Sequence, residues 1–374
     1  MSTAQTTELP RSCDVLVVGA GIVGLAHAVA ALDAGYRVSV VERDTRPVGA
    51  SIRNFGHVCV TGQTGDLAEL AAVSRERWLA VTERAGISAL QSGGIAVARS
   101  PQEQAVLDEL RSRRPGALEL LTAAQVRAAL GGCGEDVVGG AHLRADLRVD
   151  PRTTVDDLAR WLATQPNASV HFRTAYLGTD GTHAETTRGR IRADRIIVCT
   201  GHDLDHLYPA LAEQHDVRRC ALQMGLVDAP GGRTIAPAVL TGTSLLRYDA
   251  FAETAAAADL RTRLEADHPE LSTIDANVMF TQRPDGRLLV GDSHRSEHTV
   301  DPFLDEDTTD TIAGEIGRVL GVDSLRFRQR WQGVYATSNR APYLAADLDD
   351  HLSVRIVTSG VGMTIAFGLA ARAL

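Results

Sequence analysis

The stretch DVLVVGAGIVGLAHAVAALDAGYRVSVVE, residues 14–42, decides the fold of this chain. An apolar run, Val15 to Val18, enters Gly19-Ala20-Gly21-Ile22-Val23-Gly24. A helix-period segment follows and closes at Gly35, and a second apolar strand, Val38 to Val41, ends in Glu42. Each position has a physical job. Gly19 makes the tight turn, Gly21 lets the backbone approach a pyrophosphate, and Gly24 allows the helix to pack closely on the strand. The helix start at Ile22 and Val23 offers free N–H groups and a positive dipole end to phosphate oxygens. Glu42 stands roughly 20 residues on, where an acid accepts from ribose hydroxyls and disfavours a 2′-phosphate. Glycine spacing alone is weak evidence. With the strand before it, the helix after it and the acid beyond, it specifies a β-turn-α-β dinucleotide site.

The rest of the chain sets bounds around that unit. Its 374 residues suffice for two domains, and 44% hydrophobic with 23% charged residues describes an ordinary globular protein. No apolar run approaches the ~18 residues of a membrane helix. The opening MSTAQTTELPRS is polar and does not read as a signal peptide. A net charge of −9 argues against nucleic acid as partner. The five cysteines (Cys13, Cys59, Cys133, Cys199, Cys220) have no metal spacing and no CxxC. That excludes a redox dithiol, implies no metal and suits a reducing cytoplasm. All 38 basic residues are Arg. Without Lys no Schiff base can form on the chain, which excludes ordinary pyridoxal-phosphate chemistry. Anions must be held by Arg, His or backbone N–H groups.

Helices are expected at 66–85, 102–110, 122–130, 153–164, 252–266 and 308–320. Short strands are expected at 220–227, 238–240, 244–248, 278–282 and 287–290, the last two joined by the turn Arg283 to Gly286. A second strand, Ile196 to Cys199, runs into Thr200-Gly201. A third, Val354 to Val357, runs into Ser359-Gly360-Val361-Gly362 and opens a helix at Met363. A second complete GxGxxG is absent, so one site must hold either FAD or NAD. Three separate small-residue turns at strand ends favour FAD, a large cofactor that needs backbone from several places. An NAD dehydrogenase, which predicts a colourless protein, and a catalytically silent nucleotide-binding module are the readings from other classes.

GAGIVG with Glu42, GASIRNFG (49–56), RIIVCTG (195–201), GRLLVGD (286–292) and SGVGMTIAFGLA (359–370) resemble, in order, blocks of the D-amino-acid oxidase/sarcosine oxidase superfamily. The resemblance implies an α/β fold with two domains: a Rossmann-like FAD-binding domain (11–85, 141–216 and 331–374) and an interleaved antiparallel-sheet substrate domain (86–140 and 217–330). It also implies non-covalent FAD, because Gly333 stands where sarcosine oxidases attach flavin through Cys. ASIRNFGHV, CALQMGL (220–226) and RWQGVYATSNRAPYL (330–344) are similar to a branch linked to aminoethylphosphonate breakdown.

By that resemblance the cofactor is held by Gly19, Gly21, Ile22, Val23, Gly24, Glu42 and Arg43. Further contacts come from Ser51, Arg53, Asn54, Gly56, His57, Thr200, Gly201, Gly360, Gly362, Met363 and Thr364. Arg53 is otherwise a solvated loop charge, and His57 a packed, hydrogen-bonded one. Family members grip a substrate carboxylate with an Arg where this chain has Tyr335, which argues against a standard α-amino acid. Arg247 and Tyr248 on an expected strand, with Arg330, Arg340 and His294, are candidates for an alternative anion grip. Trp331 and Tyr335 are candidate walls for the amine and, with His57, the candidate catalytic residues. The implied reaction is oxidation of a small primary or N-methyl amine to an imine and then an aldehyde, on 2-aminoethylphosphonate or its N-methyl form. The alternative is a glycine-, sarcosine- or D-amino-acid-like carboxylate. Oxygen or another acceptor takes the electrons.

Overall fold

The computed structural model describes residues 8–373; Met1 to Thr7 of the polar N-terminal stretch, and Leu374, lie outside them. Two sheets organise the chain. The first runs in the order Tyr343–Asp347, Leu352–Val357, Gly189–Val198, Ser12–Val18, Val38–Val41, Ala168–His171. All neighbours are parallel except the Tyr343–Asp347 edge. A central parallel strand is covered on both faces, and that is why residues 15–18 read as one apolar run. Val15 and Val17 face a core with the helices Ile22–Asp33 and Gly362–Ala373, while Leu16 and Val18 face a second core. Helix Gly65–Ala85 locks the first layer from outside: Trp78 Nε1 donates to the Met363 carbonyl at 2.8 Å and its ring meets Phe367 edge-on.

The second sheet is largely antiparallel. Strand Arg218–Val227 carries Phe327–Thr337 along its whole length, from Arg218 opposite Thr337 to Val227 opposite Phe327. Its other edge is shared by Leu288–Gly291 and Arg295–Glu297, and the sheet continues through Met279–Gln282, Ala238–Leu240, Gly94–Ala98, Gly139–Leu143 and Glu119–Thr122. The architecture is therefore the expected Rossmann-like layer plus an interleaved antiparallel sheet. The expected cuts at 140/141 and 330/331 fall inside strands Gly139–Leu143 and Phe327–Thr337, both hydrogen-bonded into the second sheet. Neither strand announces itself locally. One opens on two glycines, and the other mixes Arg, Gln and Gly into its pattern.

The expected strand 244–248 is a helix, Gly242–Arg247. Thr241 starts it in an extended conformation, Ser244 Oγ donates to Asn277 Oδ1 at 2.7 Å, and Leu245 is fully buried. Tertiary anchoring overrides a weak local preference here. The expected helix 252–266 is two pieces, Asp249–Ala252 and Ala256–Asp267. Among the described residues no helix is long and apolar enough to cross a membrane.

Candidate active site

The first sheet changes direction of travel at Ser12–Val18, whose chain continues to Val38–Val41 on one side while Gly189–Val198 pairs on the other. Ligands of such sheets bind outside the carboxyl ends of the strands at this point. A cavity of about 930 Å³ opens there and runs on to one face of the second sheet. At its nucleotide end Gly19 adopts φ +102°, and a Cβ on it would lie 2.7 Å from the Cys199 carbonyl oxygen. Gly24 does not line the cavity. A Cβ there would stand 1.9 Å from the Gly19 oxygen, so its job is close packing of helix on turn.

Helix Ile22–Asp33 has no side-chain cap on Gly21. Ser51 Oγ instead accepts from Ile22 N at 2.9 Å, which leaves its own hydrogen to donate to a phosphate oxygen. Glu42 accepts from Ala20 N at 2.9 Å and from Asp44 N at 3.0 Å, bracing the glycine turn, while still lining the cavity. Arg43 pairs with Asp203 at 2.6 Å across the groove. Thr200 lines the groove and its Oγ1 is buried without a partner. An orphaned hydroxyl, a helix start with no cap of its own and a turn with no room for a Cβ at Gly19 fit the dinucleotide of FAD.

The other predicted residues separate clearly. Val23, Ser51, Arg53, Asn54, His57, Gly201, Gly360, Gly362, Met363 and Thr364 line the cavity. Within the loop, Arg53 Nε donates to the Val48 carbonyl at 2.7 Å. The Asn54 amide donates to Ala50 O and accepts from Gly56 N. These side chains shape the loop. Gly56 packs against the Val149 carbonyl and does not reach the cavity. His57 is 8% exposed, and its Nε2 lies 2.8 Å from Asp146 Oδ2. The other nitrogen, Nδ1, is buried without a partner.

Arg247, Tyr248, His294 and Tyr335 converge on the far lobe. Arg247 donates to the Tyr335 hydroxyl at 3.1 Å and to Asp275 at 3.3 Å. The Asp275 side chain is 68% exposed, so that pair contributes at most about 1 kcal/mol and releases the guanidinium easily to a ligand. Burial opposes the Arg247 charge, but Tyr335, Asp292 and Asp275 hold it and its pKa rises. Burial raises the Tyr335 and Tyr248 phenols, so both stay neutral. Burial, then Arg247, lowers His294 to about 3.

Arg330, Arg340 and Trp331 stand outside the cavity. Arg330 pairs with Glu306 at 3.3 Å and covers Phe327. Arg340 donates to the Gln214 carbonyl. Trp331 shares Tyr335's face of the strand but sits about 13 Å along it, where Arg152 stacks on its ring at 4.4 Å. Arg330→Ala and Trp331→Phe are therefore expected to leave kcat/KM within about twofold, read in a steady-state assay. Sequence reasoning missed Asp292, which ends strand Leu288–Gly291 and lines the lobe at 4% exposure, and Asp146 behind His57. Asp292 had a signal: an acid straight after an apolar strand and a glycine. Asp146, between Ala145 and Leu147, had none.

The fold has solved relatives. Glycine oxidase from Geobacillus kaustophilus superposes with a TM-score of 0.76 at 18% identity, over 96% of this chain and 93% of its own. The FAD-bound L-alpha-glycerophosphate oxidase from Mycoplasma pneumoniae does so at 0.71 and 17%, over 97% and 94%. Iminodiacetate oxidase from Chelativorans sp. BNC1 matches at 0.71 and 17%, over 95% and 93%. Among curated protein sequences none matches the chain. The sequence profile of the FAD dependent oxidoreductase family, DAO, matches residues 14–374, so the chain belongs to that family and its cofactor is FAD.

Proposed function

We propose that the protein oxidises a small primary or N-methyl amine that bears an anionic group, with an aminophosphonate such as 2-aminoethylphosphonate as substrate class. One observation carries this reading: a guanidinium, Arg247, and a buried carboxyl, Asp292, share a single lobe of the cofactor cavity. A zwitterionic amine presents an anion to the guanidinium and a proton-bearing nitrogen to the carboxyl. The planar fork of Arg247 can make two charge-assisted hydrogen bonds to phosphonate oxygens, and Tyr335 OH can add a third. The phosphonate itself rests on the resemblance of residues 50–58, 220–226 and 330–344 to the branch named above.

When bound, FAD accepts a hydride equivalent from the carbon next to nitrogen. The chain's own residues orient the amine and exclude water. Arg247 fixes the anionic end, and neutral Tyr248 and Tyr335 supply walls that carry no competing charge. His57 lines the cavity, its Nε2 set by Asp146 and its Nδ1 without a partner. The imine then leaves and hydrolyses to an aldehyde and ammonia or methylamine. The electrons pass to oxygen or to another acceptor.

A second reading, a glycine-, sarcosine- or D-amino-acid-like carboxylate, keeps the same lobe and chemistry. The likeness to glycine oxidase and iminodiacetate oxidase favours keeping it in view. Product identification separates the two. Turnover of 2-aminoethylphosphonate is expected to give one trapped phosphonoacetaldehyde per flavin reduced. An oxoacid from a carboxylate amine, with no aldehyde from the phosphonate, would favour the second reading.

A further inference from the structure

Oxidation of an amine needs a nitrogen without its extra proton, because the nitrogen lone pair must be free to form the imine. A primary or N-methyl amine carries that proton at neutral pH, with a pKa of about 10, as for a lysine amine. A basic group in the lobe would let the protonated amine bind and lose that proton in place. Asp146 is engaged with His57 and with Thr61 N. Asp249, Glu265 and Asp275 line the cavity but are exposed, and Asp275 also pairs with Arg247. Asp292 is different. It is 4% exposed, lines the cavity, and has Oδ1 buried without any partner. Its backbone is clamped on both sides by Asn277, at 2.9 and 3.1 Å. Its Oδ2 lies 3.7 Å from His294 Nε2. His294 Nδ1 is 2.9 Å from the Asp275 carbonyl, which only accepts, so Nδ1 carries the hydrogen and Nε2 is a lone pair. The ring brings Asp292 no positive charge.

We propose that Asp292 takes the ammonium proton of the bound amine while Arg247 holds the anionic end of the same molecule. The N–H bond breaks with its electron pair left on nitrogen, an O–H bond forms on Asp292, and a buried carboxylate becomes a neutral acid. The step consumes no oxidant. It rests on the reading of the lobe as an amine site, and not on which anionic group the amine bears.

The surroundings suit that task. Burial raises the Asp292 carboxyl to about 8, with Arg247 pulling it down and Asp275 adding to the rise. The other groups facing it are uncharged: Tyr335, Tyr248 and Cys220 through burial, and His294 as above. An acid near 8 beside an amine near 10 makes the transfer a modest climb, which is what an effective base requires. The same burial has a stability consequence. Between about pH 4 and pH 8 folded Asp292 keeps a proton that the unfolded chain has released, so its contribution to stability falls as pH rises through that window and levels off above it.

The test is anaerobic stopped-flow reduction of the FAD-loaded enzyme at limiting amine, from about pH 6 to about pH 10.5, for wild type and Asp292→Asn. Wild-type rates are expected to rise through about 8. The variant is expected to be more than about tenfold slower at about pH 8.5, where Asp292 is ionised and the amine still protonated, and to close the gap near pH 10, where the free amine supplies its own lone pair. The second readout is thermal: from pH 5 to pH 8 the variant should gain on wild type by roughly 2–6 °C. A variant profile parallel to wild type, or no thermal gain, overturns the proposal. Reduction by carboxylate amines alone removes the phosphonate reading, and the Asp292 comparison is then made with those amines. If no amine reduces the wild type, both readings fall together.

Discussion

Replacing Arg247 by Met is expected to lower kcat/KM for an anionic amine by about 10²–10⁴-fold. The guanidinium can give two charge-assisted hydrogen bonds to the anionic group, each about 1.5–3 kcal/mol, and every 1.4 kcal/mol is a factor of ten. Arg330 and Arg340 cannot replace it, because their charges face Glu306 and the Gln214 carbonyl, and Arg261, which also lines the cavity, is exposed to solvent. Arg247→Lys should recover only part of the loss, since a point charge on a flexible stem does not reproduce the fork. An uncharged amine of the same length should be affected far less by either change. Steady-state kinetics with both amines checks the pattern. A loss of less than about threefold with Arg247→Met would remove this residue from the substrate site.

Gly24→Ala is expected to abolish most FAD binding, leaving less than about a tenth of the wild-type flavin per chain after desalting. The added Cβ would lie 1.9 Å from the Gly19 oxygen and 3.1 Å from its carbonyl carbon, so helix Ile22–Asp33 must move away from the turn. Atoms held that close force a backbone shift, and shifts of this kind belong to the costly class of substitutions. Gly21→Ala provides the contrast. Its Cβ would meet a flexible Ser51 hydroxyl at 3.1 Å, so the fold should persist with FAD bound more weakly. The ratio of flavin to protein absorbance reads both variants. Full flavin retention in Gly24→Ala would contradict the packing role assigned to this glycine.

These two sites differ in how far the sequence alone reveals them. The turn at residues 19–24 is legible because every constraint on it is local: strand, glycine spacing, helix and acid lie within one continuous stretch. Helix Gly65–Ala85 with its Gly86 stop and the hairpin turn at Arg283 to Gly286 are legible for the same reason. The lobe is not. Residues 244–248 carry two adjacent leucines and no alternation that survives into the structure. Their helical state is decided by Asn277 and by the core around Leu245.

Trp331 shows a subtler failure. Its parity on the strand matches Tyr335, but only the register against Arg218–Val227 reveals that it lies beyond the cavity, under Arg152. His57 and Asp146 meet across 89 positions of sequence, with no motif to join them. Composition was informative where it excluded. A chain without Lys must hold an anion with Arg, His or backbone N–H groups, and Arg247 is the part-buried cation that lines the lobe.

The most direct test of the central claim is anaerobic absorbance of the purified, FAD-loaded protein mixed with N-methyl-2-aminoethylphosphonate, with sarcosine and D-alanine alongside. The expected result is bleaching of the yellow flavin band by the phosphonate and little or none by the two carboxylates. Bleaching by the carboxylates alone would contradict the substrate class, and an unchanged flavin band with every amine would contradict amine oxidation itself.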